Sequence, residues 1–178
     1  MKLALKEFIE KNIHLIEKNQ FVDLYEEACY KLEDENVGQL TAMLLSCDIN
    51  PLYFMDKVPP SYLYGVENIT DIVIPNNIKS IGLSAFDKCW DLKHVTLPPN
   101  ISIDSRAFAE TEIHEIIFHP NTSLGDYVFY QSSLETVIFK GTLADIEAGK
   151  LEYGMNTFEN TTVWKIDCLD GDFYDTST

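Results

Sequence analysis

Strand-like segments recur in phase along the second half of the chain, and this periodicity constrains its fold more than any other feature. Each segment alternates β-branched or aliphatic residues with polar ones. The aligned central residues are Ile72, Val95, Ile116 and Val137, at intervals of 23, 21 and 21 along the chain. A single unit of this length cannot bury an apolar face alone, whereas stacked units can. The repeat therefore predicts a solenoid with one strand per unit in a small parallel sheet.

A second apolar segment follows each of the first three strands. It contains Ile78 and Ile81 in the first unit, Ile101 and Ile103 in the second, and Leu124 in the third. A small or β-branched residue then precedes a phenylalanine, in the pairs Ala85-Phe86, Ala107-Phe108 and Val128-Phe129. Units of about 20–29 residues with one strand each are typical of leucine-rich solenoids.

The segment IVIPNNIKSIGLSAFDKCWDLKHVTLP resembles the BspA-type leucine-rich repeat of bacterial proteins, whose units read approximately I-x-I-P-x-x-[IV]-x-x-I-G-x-x-A-F-x-x-C-x-x-L. The segments VIFKGTLADIEAGK and TTVWKIDCLDGDF are similar to the closing unit of such arrays. The resemblance covers about residues 66–172 and implies a solenoid with a C-terminal cap. The second unit departs from the pattern by lacking the glycine after Ile103, and only the first unit keeps its cysteine, Cys89.

The part of the chain before this array, residues 1–58, has a helical period instead. Apolar stripes predict helices over residues 3–18 and from about Phe21 to Leu32, with Leu32 facing inward. A third helix is predicted after an N-cap at Asn36, and Asn50-Pro51 opens a short helix that extends to about Lys57. The segment NPLYFMDKVPPSYLYG is similar to lead-in segments of phage- and prophage-encoded relatives.

The predicted fold class is thus α+β, with an N-terminal helical bundle followed by a short leucine-rich-repeat solenoid. We expect a helical domain over residues 1–60, the solenoid and its cap over 61–172, and an acidic tail over 173–178. The N-terminus lacks the pattern of a signal peptide, and no apolar run approaches the length of a membrane span. We therefore expect a cytoplasmic protein that does not bind membranes.

The chain is strongly acidic, with 13 basic and 29 acidic residues and a formal net charge of −16. Residues 1–65 carry 6 basic and 11 acidic side chains, and residues 66–178 carry 7 and 18, so the second part contributes −11. Such a surface repels nucleic-acid phosphates and favours a partner with a basic face. The alternative is that the charge serves solubility alone.

Side chains alternate along a strand, so the sequence also predicts which residues point away from the core. The predicted interaction face consists of two ladders: Asp71, His94, Glu115 and Thr136, and then Val73, Thr96, Ile117 and Ile138. Three members of the second ladder are apolar and β-branched. One interpretation is an interaction patch. The other is that β-branched residues favour strands wherever they lie, or that the N-terminal helices fold over this face.

We predict no catalytic residue, no metal ligand and no cofactor site. His14 and Cys29 could form a nucleophilic pair on neighbouring helices, but no glycine-rich turn offers an oxyanion hole, and Cys29 fits a helix-packing role. His94, His119 and Glu115 lack a complete ligand set. Asp167, Asp170 and Asp172 lack the spacing of a calcium loop and fit a solvated capping turn.

The leading hypothesis is accordingly a non-enzymatic protein-interaction module. In its sharpest form this is a phage-encoded acidic inhibitor of a basic nucleic-acid-binding host enzyme, such as a CRISPR effector. The alternatives are a structural or self-assembling component, with homo-oligomers formed through the exposed strands, and a Cys–His or metal-dependent hydrolase.

Overall fold

The computed structural model describes residues 18–46 and 50–174. Helices α1 (Lys18–Lys31) and α2 (Asp34–Ser46) come first and are followed by a 3-10 helix over Pro51–Tyr53. Short strands then alternate with turns up to Phe173, with one further helix, α3 (Leu143–Glu147), near the end. The strands are β1 (Lys57–Val58), β2 (Asp71–Val73), β3 (Ser80–Ile81), β4 (His94–Thr96), β5 (Ser102–Ile103), β6 (Glu115–Phe118), β7 (Thr122–Leu124), β8 (Thr136–Phe139), β9 (Leu151–Tyr153), β10 (Ile166–Cys168) and β11 (Gly171–Phe173).

The strands form a solenoid, and successive strands along the chain alternate between its two sides. The odd-numbered strands β1, β3, β5, β7 and β9 pair in parallel as one five-stranded sheet, which we call the rear sheet. On the other side β2 pairs with β4, and β6, β8 and β10 pair in parallel, with β11 added antiparallel. The outward side of these six strands is called the front face. Within the described residues, β4 and β6 lie next to each other without a hydrogen-bonded ladder.

The predicted strand alignment is confirmed where the strands pair. Ile72 is in register with Val95, and Ile116 is in register with Val137. The sequence does not predict the rear sheet, because β3 and β5 are only two residues long and show too little alternation to be identified as strands. Its first strand, Lys57–Val58, lies ahead of residue 61, where the sequence places the start of the solenoid.

A column of aromatic rings occupies the core of the solenoid. We call Tyr62, Phe86, Phe108, Phe129 and Phe158 the aromatic spine. The ring centroids of Phe86 and Phe108 are 5.1 Å apart, those of Phe108 and Phe129 are 5.7 Å apart, and these rings are nearly parallel. The first four members of the spine are buried. Each coil thus contributes one ring, which fills the space between the two sides.

Helices α1 and α2 pack against the first coil and extend the core. The Tyr25 ring of α1 lies 6.5 Å from the Tyr62 ring, and its hydroxyl bonds the Thr41 hydroxyl of α2. A Cβ atom at Gly38 would lie 2.3 Å from the Tyr64 carbonyl oxygen, so glycine is required for α2 to approach the backbone this closely. The helices therefore cover the N-terminal end of the solenoid.

Details of the helical part differ from the expectations. The first predicted helix lies outside the described residues except for its last residue, Lys18, so a bundle is not confirmed; the described part shows α1, α2 and the 3-10 helix. Asn36 is not an N-cap, because α2 begins at Asp34 and the Glu33 carbonyl already accepts from the Asn36 and Val37 amides. Leu32 is not inward, because it lies past the end of α1 and is 43% exposed.

The cap at Asn50 is confirmed, since its side chain accepts a hydrogen bond from the Leu52 amide. The helix that it opens is shorter than predicted. It ends at Tyr53, and Lys57 already belongs to β1. None of the helices within residues 18–46 and 50–174 is long and apolar enough to cross a membrane.

The turns between coils rely on non-glycine residues in the left-handed region. One series consists of Lys88, Glu110, Gln131 and Asn160, with φ between 54° and 61°. In this conformation the amides of Lys88, Glu110 and Gln131 donate to carbonyls of the next coil, at Ala109, Tyr130 and Glu159. These hydrogen bonds hold the turns in a stack, at the cost of about 1 kcal/mol or more for each non-glycine residue.

We expect Gln131→Gly to raise the free energy of unfolding by about 0.5–1 kcal/mol, because glycine adopts positive φ without steric cost. Gln131 is exposed and loses little packing. Urea denaturation measures the change. The matched control is Gln131→Ala, which keeps the strain and should stay within about 0.5 kcal/mol of the wild type. A destabilised glycine variant would contradict the assignment of strain to this turn.

Candidate interaction surface

The front face presents the predicted outward residues to solvent. In β6 and β8, Ile116, Phe118, Val137 and Phe139 point into the core and are buried. Glu115 and Ile117 are exposed, and Thr136 and Ile138 are half-buried. Asp71, Val73, His94 and Thr96 on β2 and β4 are all exposed. The alternation expected for strands therefore holds over this side of the solenoid.

Strand pairing places these side chains in rows across the face. Asp71 is opposite His94 and Val73 is opposite Thr96 in the first pair of strands. Glu115 is opposite Thr136 in the second pair. The longest row runs through Ile117, Ile138, Asp167 and Asp172 on β6, β8, β10 and β11. The predicted residues thus form two groups, one on β2 and β4 and the other on β6 and β8. The two groups meet where β4 and β6 lie side by side.

The last part of this face is not predicted from the sequence. Asp167, Asp170 and Asp172 are expected in a capping turn, without any relation to Ile138. The register of β10 with β8 instead brings Asp167 beside Ile138. The only sequence signal for this last strand is the strand-like segment TTVWKIDCLDGDF. It lies farther from the preceding strand than the interval of 21–23 residues that separates the other strands.

The front face carries apolar side chains that the rear sheet lacks. Val73 is 68% exposed and Ile117 is 36% exposed. The outward residues of the rear sheet are instead Lys57, Ser80, Ser102, Ser123 and Glu152. Strand propensity acts on both sheets equally, so it does not explain why apolar β-branched residues face solvent on one sheet only. The described helices α1 and α2 leave Val73 and Ile117 uncovered.

The charges on the front face are mixed rather than uniformly acidic. The His94 Nδ1 atom lies 3.0 Å from an Asp71 carboxylate oxygen. A hydrogen bond from the Thr70 hydroxyl, supported by His94, lowers the pKa of Asp71. Lys165 Nζ lies 2.8 Å from Asp167 and 3.1 Å from Asp172. Glu115, at the centre of the face, adds a further exposed carboxylate.

The Cys29 thiol, which suggested chemistry, and the Cys89 thiol of the repeat pattern are both buried in the core. Burial raises the pKa of Cys29 to about 11 and that of Cys89 to about 12, so neither forms a thiolate at neutral pH. The Cys89 thiol donates to the Leu63 carbonyl oxygen at 3.0 Å, which fits a structural role. His14, the suggested partner of Cys29, lies outside the described residues. The described geometry therefore offers Cys29 no activation as a nucleophile.

The carboxylates of Asp167, Asp170 and Asp172 form hydrogen bonds or ion pairs with neighbouring groups. Asp170 accepts a hydrogen bond from the Leu143 amide at 2.8 Å, which ties the turn to the start of α3. Asp167 and Asp172 hold Lys165. Among residues 18–46 and 50–174, no three histidine, cysteine, aspartate or glutamate side chains lie close enough together to hold a metal ion.

Comparison with known proteins identifies the repeats. The family model of the BspA type leucine rich repeat region matches residues 56–169, in six copies. The match begins at the residue before β1 and ends in the turn between β10 and β11. No curated protein and no solved structure matches the chain.

Proposed function

Because this chain belongs to the BspA-type leucine-rich-repeat family, we propose that it is a protein-interaction module that binds a partner through its front face. Repeats of this family are typically non-catalytic, and leucine-rich repeats generally mediate contacts between proteins. The observation that carries the proposal is the asymmetry between the sheets. On the front face only, Ile117 and Ile138 form an apolar stripe and Val73 is a third apolar residue beyond Thr96, with polar and charged side chains around them. Such a rimmed apolar stripe is typical of a contact surface.

We further propose that the partner has a basic surface. Of the net charge of −16, residues 66–178 contribute −11, and on the front face the carboxylates of Asp71, Glu115, Asp167 and Asp172 outnumber the ammonium group of Lys165. A basic partner would be attracted before contact and would associate faster. A nucleic-acid-binding enzyme, such as a CRISPR effector, has such a surface, and blocking it would inhibit that enzyme. This inhibitory form of the proposal predicts weaker inhibition at high salt, because exposed charge pairs are screened.

The test compares two double variants of the full chain in capture experiments from a lysate of the source organism. We expect Ile117→Asp with Ile138→Asp to abolish capture of a protein that the wild type retains, because two carboxylates would be desolvated in the contact. The control places the same substitution on the rear sheet, as Ser102→Asp with Ser123→Asp, and should retain the partner.

Circular dichroism and urea denaturation of both variants check that the fold is kept. Equal capture by the wild type and the front-face variant would refute the proposal. Light scattering on the wild type addresses self-assembly: a stable homo-oligomer that the front-face substitutions dissociate would favour the structural role instead.

A further inference from the structure

Two exposed aromatic rings lie at the C-terminal end of the front face. Trp164 is 66% exposed and Tyr174 is 54% exposed, and their ring centroids are 5.7 Å apart with an interplanar angle of 45°. Around them are Lys165, Asp167 and Asp172. We call these five residues the C-terminal aromatic cluster. Neighbouring large apolar rings that are exposed to solvent are typical of a contact surface.

The cluster already holds a cation from its own chain. Lys165 Nζ lies 5.6 Å from the Trp164 ring centroid and forms ion pairs with Asp167 and Asp172. The Tyr174 hydroxyl lies 3.4 Å from the same Asp172 carboxylate oxygen. An aromatic face next to carboxylates favours a positive charge through the ring quadrupole and through ion pairing. The side chains of the cluster are therefore arranged to bind a cation.

The cluster is continuous with the proposed binding surface. Asp167 is in register with Ile138, and Asp172 is in register with Asp167. A partner lying along the apolar stripe of Ile117 and Ile138 would thus meet two carboxylates and then the aromatic rings. Two carboxylates share the single Lys165 ammonium at this end, so a positive group of the partner would complement the remaining negative charge.

We infer that the C-terminal aromatic cluster binds an arginine side chain of the protein partner; this inference rests on the proposed function. A guanidinium group is planar, so it stacks on an indole face and still donates hydrogen bonds to two carboxylate oxygens. The ammonium group of Lys165 is a compact point charge on a flexible stem, and its ion pairs are partly solvated. The arginine displaces it from the Trp164 ring.

Calorimetric titration of the full chain with two peptides of equal charge tests this inference. The probes are acetyl-(Arg-Gly)4-amide and acetyl-(Lys-Gly)4-amide at low ionic strength. We expect the arginine peptide to bind roughly two- to fivefold more tightly, because a planar guanidinium stacks on the Trp164 ring and still donates to the carboxylates, which an ammonium group does not do. Trp164→Leu should abolish this preference, and Lys165→Met should strengthen arginine binding by removing the internal competitor.

A matched pair of variants separates the cluster from general attraction to an acidic protein. Asp167→Asn with Asp172→Asn should weaken binding of the arginine peptide at least about fivefold. Glu112→Gln with Glu159→Gln changes the net charge equally at exposed positions outside the strands of the front face and should change binding less than about twofold. Equal binding of the two peptides, or equal losses in the two double variants, would overturn the inference.

The peptide titration is independent of the capture experiment. Loss of capture in the front-face variant without an arginine preference would leave the proposed function standing and refute the arginine site. An arginine preference that depends on Trp164, together with unchanged capture by the front-face variant, would support the cation site and refute the front face as the main contact.

Discussion

Phe108→Ala is expected to lower the free energy of unfolding by about 3–5 kcal/mol, as deletions of fully buried phenylalanine rings do. Phe108 is the middle ring of the aromatic spine and is fully buried between Phe86 and Phe129. Its removal deletes contacts with the coil on either side. The neighbouring coils cannot close the gap, because their strands and turns are held by backbone hydrogen bonds. A loss of this size is a large fraction of the stability of a typical domain.

Urea denaturation of the wild type and the variant measures this loss. Tyr53→Ala is the control, since it also removes an aromatic ring but at a position that is 69% exposed. We expect it to change the free energy of unfolding by no more than about 0.5 kcal/mol. A Phe108→Ala variant within about 1 kcal/mol of the wild type would show that the spine does not hold the coils together.

Arg106→Met is expected to cost about 2 kcal/mol, because it leaves a buried carboxylate with the Ser84 hydroxyl but without its charged partner. The Asp87 side chain is 3% exposed, and Arg106 Nε donates to it at 2.9 Å. Arg106 is the only arginine of the chain. Its side chain is 34% exposed and stacks 5.4 Å from the Tyr130 ring centroid. This partial exposure is why we expect less than the cost of breaking a fully buried pair.

Neutralising the carboxylate should reverse most of this loss. Asp87→Asn with Arg106→Met is expected to unfold at a free energy closer to that of the wild type than the Arg106→Met variant does. Glu110→Gln is the control, since Glu110 lies 3.3 Å from Arg106 at a partly exposed position and should change stability by no more than about 0.5 kcal/mol. Equal losses in the single and double variants would show that Arg106 acts through packing alone.

The pH dependence gives a second measurement of the same pair. Burial raises the pKa of Asp87, and Arg106 opposes the increase. A raised pKa in the folded state means that protonation stabilises the fold at low pH and that this contribution is lost as the pH rises through the folded pKa. Removal of Arg106 raises the pKa further. The destabilisation of Arg106→Met should therefore be smaller at pH 4 than at pH 7, and an unchanged difference would contradict this account.

Much of the fold could be predicted because the repeat is periodic in one dimension. The alignment of Ile72 with Val95, and of Ile116 with Val137, followed from spacing alone and is confirmed by the strand pairing. The outward positions of Val73 and Ile117 followed from the alternation of side chains. The cap at Asn50 followed from a local signal, an asparagine directly before a proline.

Other features depend on neighbours that are distant along the chain. The two-residue strands of the rear sheet are too short for a sequence pattern and are extended only because the coils before and after pair with them. The Asp87–Arg106 pair joins two separate coils, and no short motif marks it. The positive φ of Lys88, Glu110 and Gln131 also follows from the coil-to-coil hydrogen bonds, because none of these positions carries the glycine or asparagine that would signal it in the sequence.

The repeating unit, the order of its stacked strands and the side chains that face outward are therefore encoded locally, because each coil contacts mainly the next coil and stacking follows the period. The extent of the front face is not encoded in this way and depends on packing. The segment containing α3 interrupts the period. Arg106, Tyr127 and Asn156 occupy equivalent turns at positive φ, but Asn156 lies farther from Tyr127 along the chain than Tyr127 lies from Arg106. The pairing of β10 with β8 and of β11 with β10 brings Asp167 and Asp172 into the row of Ile117 and Ile138. That pairing is set by how the last coil closes on the core, and no regular spacing in the chain specifies it.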